Sequence, residues 1–217
     1  MSSQPERSDD SEATRDRLVD VTIQLLNERG NHALRLADVA RESGVAVSTI
    51  YAHFRDRTDL VAAARLVQFR SHAEGAIDRV ADVIEPSLSS AGFMESAMWP
   101  SLLDPDDPDA RTRRWDRIEA IADSRHIPEL ASQLQDLQSA LNKQVIELVR
   151  RGQDLGVIDP NLDPSAVAML SQVLRLGLAL WDISGDTRPE TENWADMISR
   201  LFSSVLPQGV PRNAPES

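Results

Sequence analysis

One stretch constrains this chain more than any other: residues 36–60, LADVARESGVAVSTIYAHFRDRTDL. Leu36, Val39 and Ala40 recur at helical spacing, which predicts a short helix with one apolar face. Gly44 follows at once, and glycine closes a helix in the left-handed region without a Cβ penalty. Val45 is the apolar plug after that turn. A second short helix is predicted next, with Ile50 and Phe54 turned inward and Ser48, Thr49, Tyr51 and His53 on its outer side. Asp56 then stands where an N-cap opens a further helix.

A short bracing helix, a glycine turn and a second helix with small polar residues outward form a helix-turn-helix. Its second helix is built to lie in the major groove of DNA. The same residues carry a family resemblance. Gly44-Val45-x-x-Ser48-Thr49-Ile50-Tyr51-x-x-Phe54, followed by Arg57-x-Asp59-Leu60, resembles the DNA-binding domain of the TetR family of transcriptional repressors. That family's pattern runs roughly G-V-S-x-G-T-L-Y-x-Y-F-x-x-K-E-x-L. The likeness extends from Arg15 to Leu60, and spacing, turn glycine, tyrosine and phenylalanine agree together. Beyond it only the architecture is similar. The chain departs from the pattern at Arg35, where a capping threonine is common, at Val47 and Ser48, and at His53 in place of tyrosine.

The resemblance implies a homodimeric regulator released from a pseudo-palindromic DNA operator by a small molecule. Ala46, Val47, Ser48, Thr49 and Tyr51 would face the major groove, with Val47 against a thymine methyl. Tyr51, His53, Arg57 and Arg41 would hold phosphates, contacts that position the protein without specifying sequence.

Composition narrows the alternatives. A net charge of −12 opposes nonspecific coating of nucleic acid but leaves room for a small reading head with a few arginines. The absence of cysteine excludes disulfides and thiolate metal sites and fits a reducing cytoplasm. No run of about 18 apolar residues suggests a spanning helix, and the polar, acidic N-terminus does not read as a signal peptide, so no membrane partner is expected. The four histidines are scattered, and neither a phosphate-cradling glycine loop nor a G-x-S-x-G motif occurs. Acids at 104, 106, 107 and 109 lack the glycine-bearing calcium-loop pattern. An enzyme, a cofactor and a metal site are therefore not expected.

The periodicity predicts an all-α chain. Residues 1–13 read as a disordered tail, 14–60 as a three-helix DNA-binding domain, 61–206 as a helical ligand-binding and dimerisation domain, and 207–217 as a second tail. Helices are expected at Thr14–Arg29, from Arg57 to about Ile84, at Pro86–Leu103, at Arg111–Ser124, from Pro128 to about Gly152, from Asp163 through Trp181, and at Glu190–Leu206. Arg15 and Arg17, near the expected start of the first, are further candidates for phosphate.

The late helices carry wide apolar faces. Leu170, Val173, Leu174 and Gly177 on one, with Trp194, Ile198, Leu201 and Phe202 on the next, suggest a four-helix bundle made with a second subunit. Met94, Met98, Trp99, Trp115, Ile118, Leu137, Leu141 and Trp181 are the adaptable apolar groups that line a cavity between helices. His126, Gln172 and Arg175 would supply its polar contacts. A small, largely apolar ligand would fit. A plain core is the competing reading of these residues. The rival function is a helical ligand-binding or protein-interaction module that has lost DNA binding.

Overall fold

The computed structural model describes residues 5–83, 106–184, 187–203 and 205 of the 217. The expected helix at 86–103, with Met94, Met98 and Trp99, lies outside these residues, as do Pro86, residues 1–4 and the tail at 207–217. Among the described residues the chain is helical throughout, without strands. The helices are α1 (Pro5–Arg29), α2 (Leu36–Ser43), α3 (Val47–His53), α4 (Arg57–Val83), α5 (Pro108–Ser124), α6 (Pro128–Asp154), α7 (Pro164–Gly177), α8 (Ala179–Ser184) and α9 (Thr191–Ser203), with a 3-10 turn at Asn31–Ala33 after α1.

Two of these elements correct the sequence expectation. The first helix begins at Pro5 rather than Thr14, so the stretch expected as a tail is helical from there on. Proline is at home in a first turn, and the Thr14 hydroxyl donates to the Asp10 carbonyl at 2.8 Å, a bond internal to the helix. These opening turns bury nothing at residues 10–13, which is why apolar periodicity does not reveal them. Arg15 and Arg17 consequently sit well inside α1, away from its free amides. The long apolar helix after Asp163 is likewise two helices, broken at Leu178. Its N-terminus is as expected: the Asp163 carboxylate accepts from the Ser165 amide at 2.8 Å.

The described residues fall into two compact units, one within Met1–Ser71 and Glu119–Asp136, the other within His72–Ile118 and Leu137–Ser217. The boundary expected after residue 60 falls inside the first unit. Its core gathers Leu18, Leu25 and Leu26 of α1, Val39 and Ala40 of α2, Ile50 of α3, Phe54, and Leu60, Val61 and Ala64 of α4. Packing of this kind buries the single apolar face each short helix offers. Arg65 of α4 is buried here too, bonded to Asp123 at 3.1 Å, to Gln68 at 3.2 Å and to Glu119.

The core of the second unit joins Val149 of α6, Val157 and Ile158 of the following loop, Val167 of α7, Leu178, Ile198 and Phe202 of α9, and Val205. Gln153 fastens the loop by donating to the carbonyls of Asp159 (2.9 Å) and Leu162 (2.8 Å). Pro164–Ser184 is long and apolar enough, by length and composition, to cross a membrane, contrary to the sequence expectation. It is packed on part of its surface, with 28% of its most apolar window buried in the protein. Val167, Ala168 and Leu178 are buried, and the Asp182 carboxylate is fully enclosed beside Arg114, at 3.1 Å, and Arg188.

Candidate nucleic-acid interface

The site is built on the turn between α2 and α3. Gly44 adopts φ 71°, ψ 23°, the left-handed conformation its sequence position called for. Chain reversal is locked by the Val45 amide, which donates to the Ala40 carbonyl at 3.0 Å. The Ser43 hydroxyl turns back onto the Val39 carbonyl at 2.6 Å, so it occupies the interior without an unmet polar group.

On α3 the two faces separate cleanly. Ile50 is 1% exposed and anchors the helix, while Tyr51 is 56% exposed and Val47 39%. Ala46, Ser48 and Ala52 are exposed as well, and Thr49 and His53 are half-buried. An exposed tyrosine and valine beside small hydroxyls give α3 a surface suited to base edges and a thymine methyl. Phe54 closes the helix from the inside, with the Arg15 guanidinium 5.3 Å from its ring centroid.

Arg41 and Arg57, expected to hold phosphates, are placed differently from one another, and Arg55 lies close to Arg57 in the sequence. Arg41 is exposed but paired, to Asp38 at 2.8 Å and Glu42 at 3.1 Å. Arg55 faces Asp59 and Glu129, each at 3.6 Å. Arg57 is turned into the protein. Its Nε donates to the Leu34 carbonyl at 2.9 Å, and its Nη2 to the Asn31 side-chain oxygen at 2.7 Å and to the Asn31 carbonyl. Among the described residues it makes no ion pair with Asp56 or Asp59, and its Nε and Nη2 are engaged within the protein. It staples α4 to the turn that precedes α2. Asp56 is free for the other task, accepting from the Asp59 amide at 2.9 Å as the cap of α4. Arg35, a mere departure from the family pattern in the sequence, stands exposed and, among the described residues, with no ion pair and no capping bond.

The residues expected to bind ligand divide as well. Trp115, Ile118, Leu137, Gln172 and Arg175 are half-buried and Leu141 is buried, all within the second unit. Gln172 belongs to a carboxamide cluster. Gln138 donates to Asn142 at 2.6 Å and to Gln172 at 2.9 Å, Gln172 to Asn142 at 3.1 Å, and Arg117 donates to Gln138. Burial lowers the Arg117 pKa. His126 does not join them: it is exposed in the turn between α5 and α6, within the first unit. Trp181, 45% exposed, lies on the surface of α8 and does not line an interior. An open groove of about 450 Å3 lies beside Lys143, Glu147, Arg150 and Ser165, and none of the expected ligand residues lines it.

Of the expected dimer contacts, Ile198 and Phe202 are instead core residues, 2% and 1% exposed. Leu174 and Trp194 pack on that core from its edge. Leu170, Val173, Gly177 and Leu201 are exposed, and Met169, Leu176, Leu180, Ile183 and Met197 join them. Among the described residues no group of three or more histidines and carboxylates is placed to hold a metal. The acids of the 106–109 loop have other partners: Asp107 accepts from the Asp109 amide, and Asp106 faces Arg188 at 2.8 Å.

Comparison with known proteins agrees with this geometry. The family model for bacterial regulatory proteins of the tetR family matches residues 18–64. The HTH-type transcriptional regulator UidR of Escherichia coli (strain K12) is 20% identical over 206 residues, 91% of this chain and 95% of that protein. The crystal structure of a TetR-family transcriptional regulator from Cytophaga hutchinsonii has the same fold, with a TM-score of 0.70 at 14% identity over 91% of this chain and 96% of that one. The multidrug binding protein EbrR, solved with imidazole, superposes with a TM-score of 0.57 at 21% identity over 97% and 94% of the two chains.

Proposed function

We propose that this chain is a member of the TetR family of bacterial regulatory proteins and acts as a cytoplasmic, homodimeric repressor released from its operator by a small molecule, a reading supported by the family model over residues 18–64 and by the likeness to UidR. The coarser part of this reading, a transcriptional regulator with a DNA-binding helix-turn-helix rather than an enzyme, is what those two likenesses support. The single observation that carries the DNA-binding reading is the division of α3, with Ile50 anchored in the core and Tyr51 and Val47 held out beside Ser48 and Thr49. In this reading Ala46, Val47, Ser48, Thr49 and Tyr51 enter the major groove, and Tyr51 and His53 also reach the backbone.

The exposed apolar residues of α7, α8 and α9 support pairing with a second copy. A monomer rarely leaves so many large apolar side chains in water on neighbouring helices. Two heads on one dimer would read half-sites about 34 Å apart. For the ligand, Trp115, Ile118, Leu137 and Leu141 supply apolar walls, with Gln172 and Arg175 as polar contacts. That EbrR is a multidrug binding protein solved with imidazole favours a small organic ligand. Release requires only that the ligand bind the conformation with mis-spaced heads better than the DNA-competent one.

The test is binding of the purified protein to fragments of the DNA upstream of its own gene, at two salt concentrations. Saturable binding that weakens with salt and is lost in Tyr51→Ala supports the proposal. A folded dimer that binds no fragment, there or in a genome-wide selection, would support the rival interaction module instead.

A further inference from the structure

Five arginines lie between Arg29 and Leu60, and the structure has spent four of them. Arg29 faces Glu28 at 3.9 Å and Asp38 at 3.7 Å. Arg41 bonds Asp38 and Glu42, Arg55 faces Asp59 and Glu129, and Arg57 donates to Asn31 and Leu34. A cation already matched by a carboxylate adds little to the attraction of a polyanion, because it brings its countercharge with it. Among the described residues Arg57 has no carboxylate partner, but its Nε and Nη2 are engaged by Leu34 and Asn31 and it is half-buried. Of the five, only Arg35 is both exposed and, among the described residues, without an ion pair or capping bond.

Its position is also fixed. Arg57 holds the carbonyl of Leu34, the residue immediately before Arg35, and both oxygens of Asn31 four positions earlier. Asn31 is held in turn through its side-chain amide, which donates to Asp123 at 2.8 Å. The Arg35 backbone opens α2, accepting from the amides of Asp38 (3.0 Å) and Val39 (3.2 Å). In a helix-turn-helix this first helix is the one that crosses the DNA backbone.

We infer that Arg35 is the principal phosphate-contacting cation of the motif, and that Arg57 serves it as a positioning residue by pinning the turn from which Arg35 projects. The inference rests on the operator-binding reading above.

The test is fluorescence anisotropy of the full chain on two labelled duplexes, one enriched by the unaltered protein from a random pool and one a shuffled control, over a range of potassium chloride. Arg35→Gln should reduce the slope of log K against log salt by about 1 per head bound, and weaken both duplexes by the same factor. Arg35→Lys, which keeps the charge, should keep the slope. Arg41→Gln should leave the slope unchanged. Arg57→Gln should lower the unfolding temperature along with affinity. An unchanged slope in Arg35→Gln overturns the assignment of Arg35 alone, as does a lost slope in Arg35→Lys. A lost slope in Arg57→Gln at unaltered unfolding temperature returns the contact to Arg57. Absence of binding by the unaltered chain overturns the operator reading, and this assignment with it.

Discussion

Arg65 shows how much one side chain can commit. It is 1% exposed, yet its charge is met by Asp123 and Glu119, and its Nη1 donates to Gln68. Removing one partner of a buried pair strands the other, so Arg65→Met should destabilise the first unit by about 3 kcal/mol, the low end for such changes because Glu119 is partly solvated. Urea unfolding of the variant measures this. Asp182 makes a prediction about acid. Burial works to raise its pKa, but hydrogen bonds from Arg114 and Arg188, with the charges of Arg114 and Arg111, outweigh burial and hold it below its ordinary 3.8. Folded, the carboxyl then takes up a proton less readily than unfolded. Its contribution to stability is complete above that value and is lost as pH falls through the lower, folded one. Asp182→Asn should remove this part of the acid decline, measured as unfolding temperature against pH.

At the scale of elements, close contacts set the tolerances. A Cβ on Gly152, at the end of α6, would stand 2.8 Å from Cδ1 of Ile158, itself fully buried. Gly152→Ala should cost about 1–3 kcal/mol by overpacking, a loss that the further change Ile158→Val should partly restore. Gly44 has open space around it, but its φ of 71° makes Gly44→Ala costly through the backbone, by about 1–2 kcal/mol. That turn was legible from the sequence because apolar spacing, glycine and the apolar plug all point the same way. The first turns of α1 were not, since they bury nothing and so leave no periodic trace. Neither was the inward turn of Arg57, because a side chain bonded to backbone carbonyls of another segment leaves no local pattern. The place of Ile198 and Phe202 in the core, rather than on a free face, was illegible for a different reason: a monomer core and a subunit interface draw on the same apolar residues, and only burial tells them apart.

In the proposed function the protein acts as a dimer with two DNA-reading heads. Leu180 and Ile183 are 70% and 67% exposed, with Val173 at 54%, and they are the residues a second copy would cover. Val173→Glu should turn a dimer into a folded monomer in sedimentation velocity and weaken operator binding with it, leaving the helical circular dichroism unchanged. The measurement that meets the central claim most directly combines stoichiometry with spacing on a selected pseudo-palindromic duplex. Two chains per duplex are predicted, with binding lost when about half a helical turn of DNA is inserted between the half-sites, since the heads then face opposite sides. One chain per duplex, or affinity indifferent to that insertion, would contradict it.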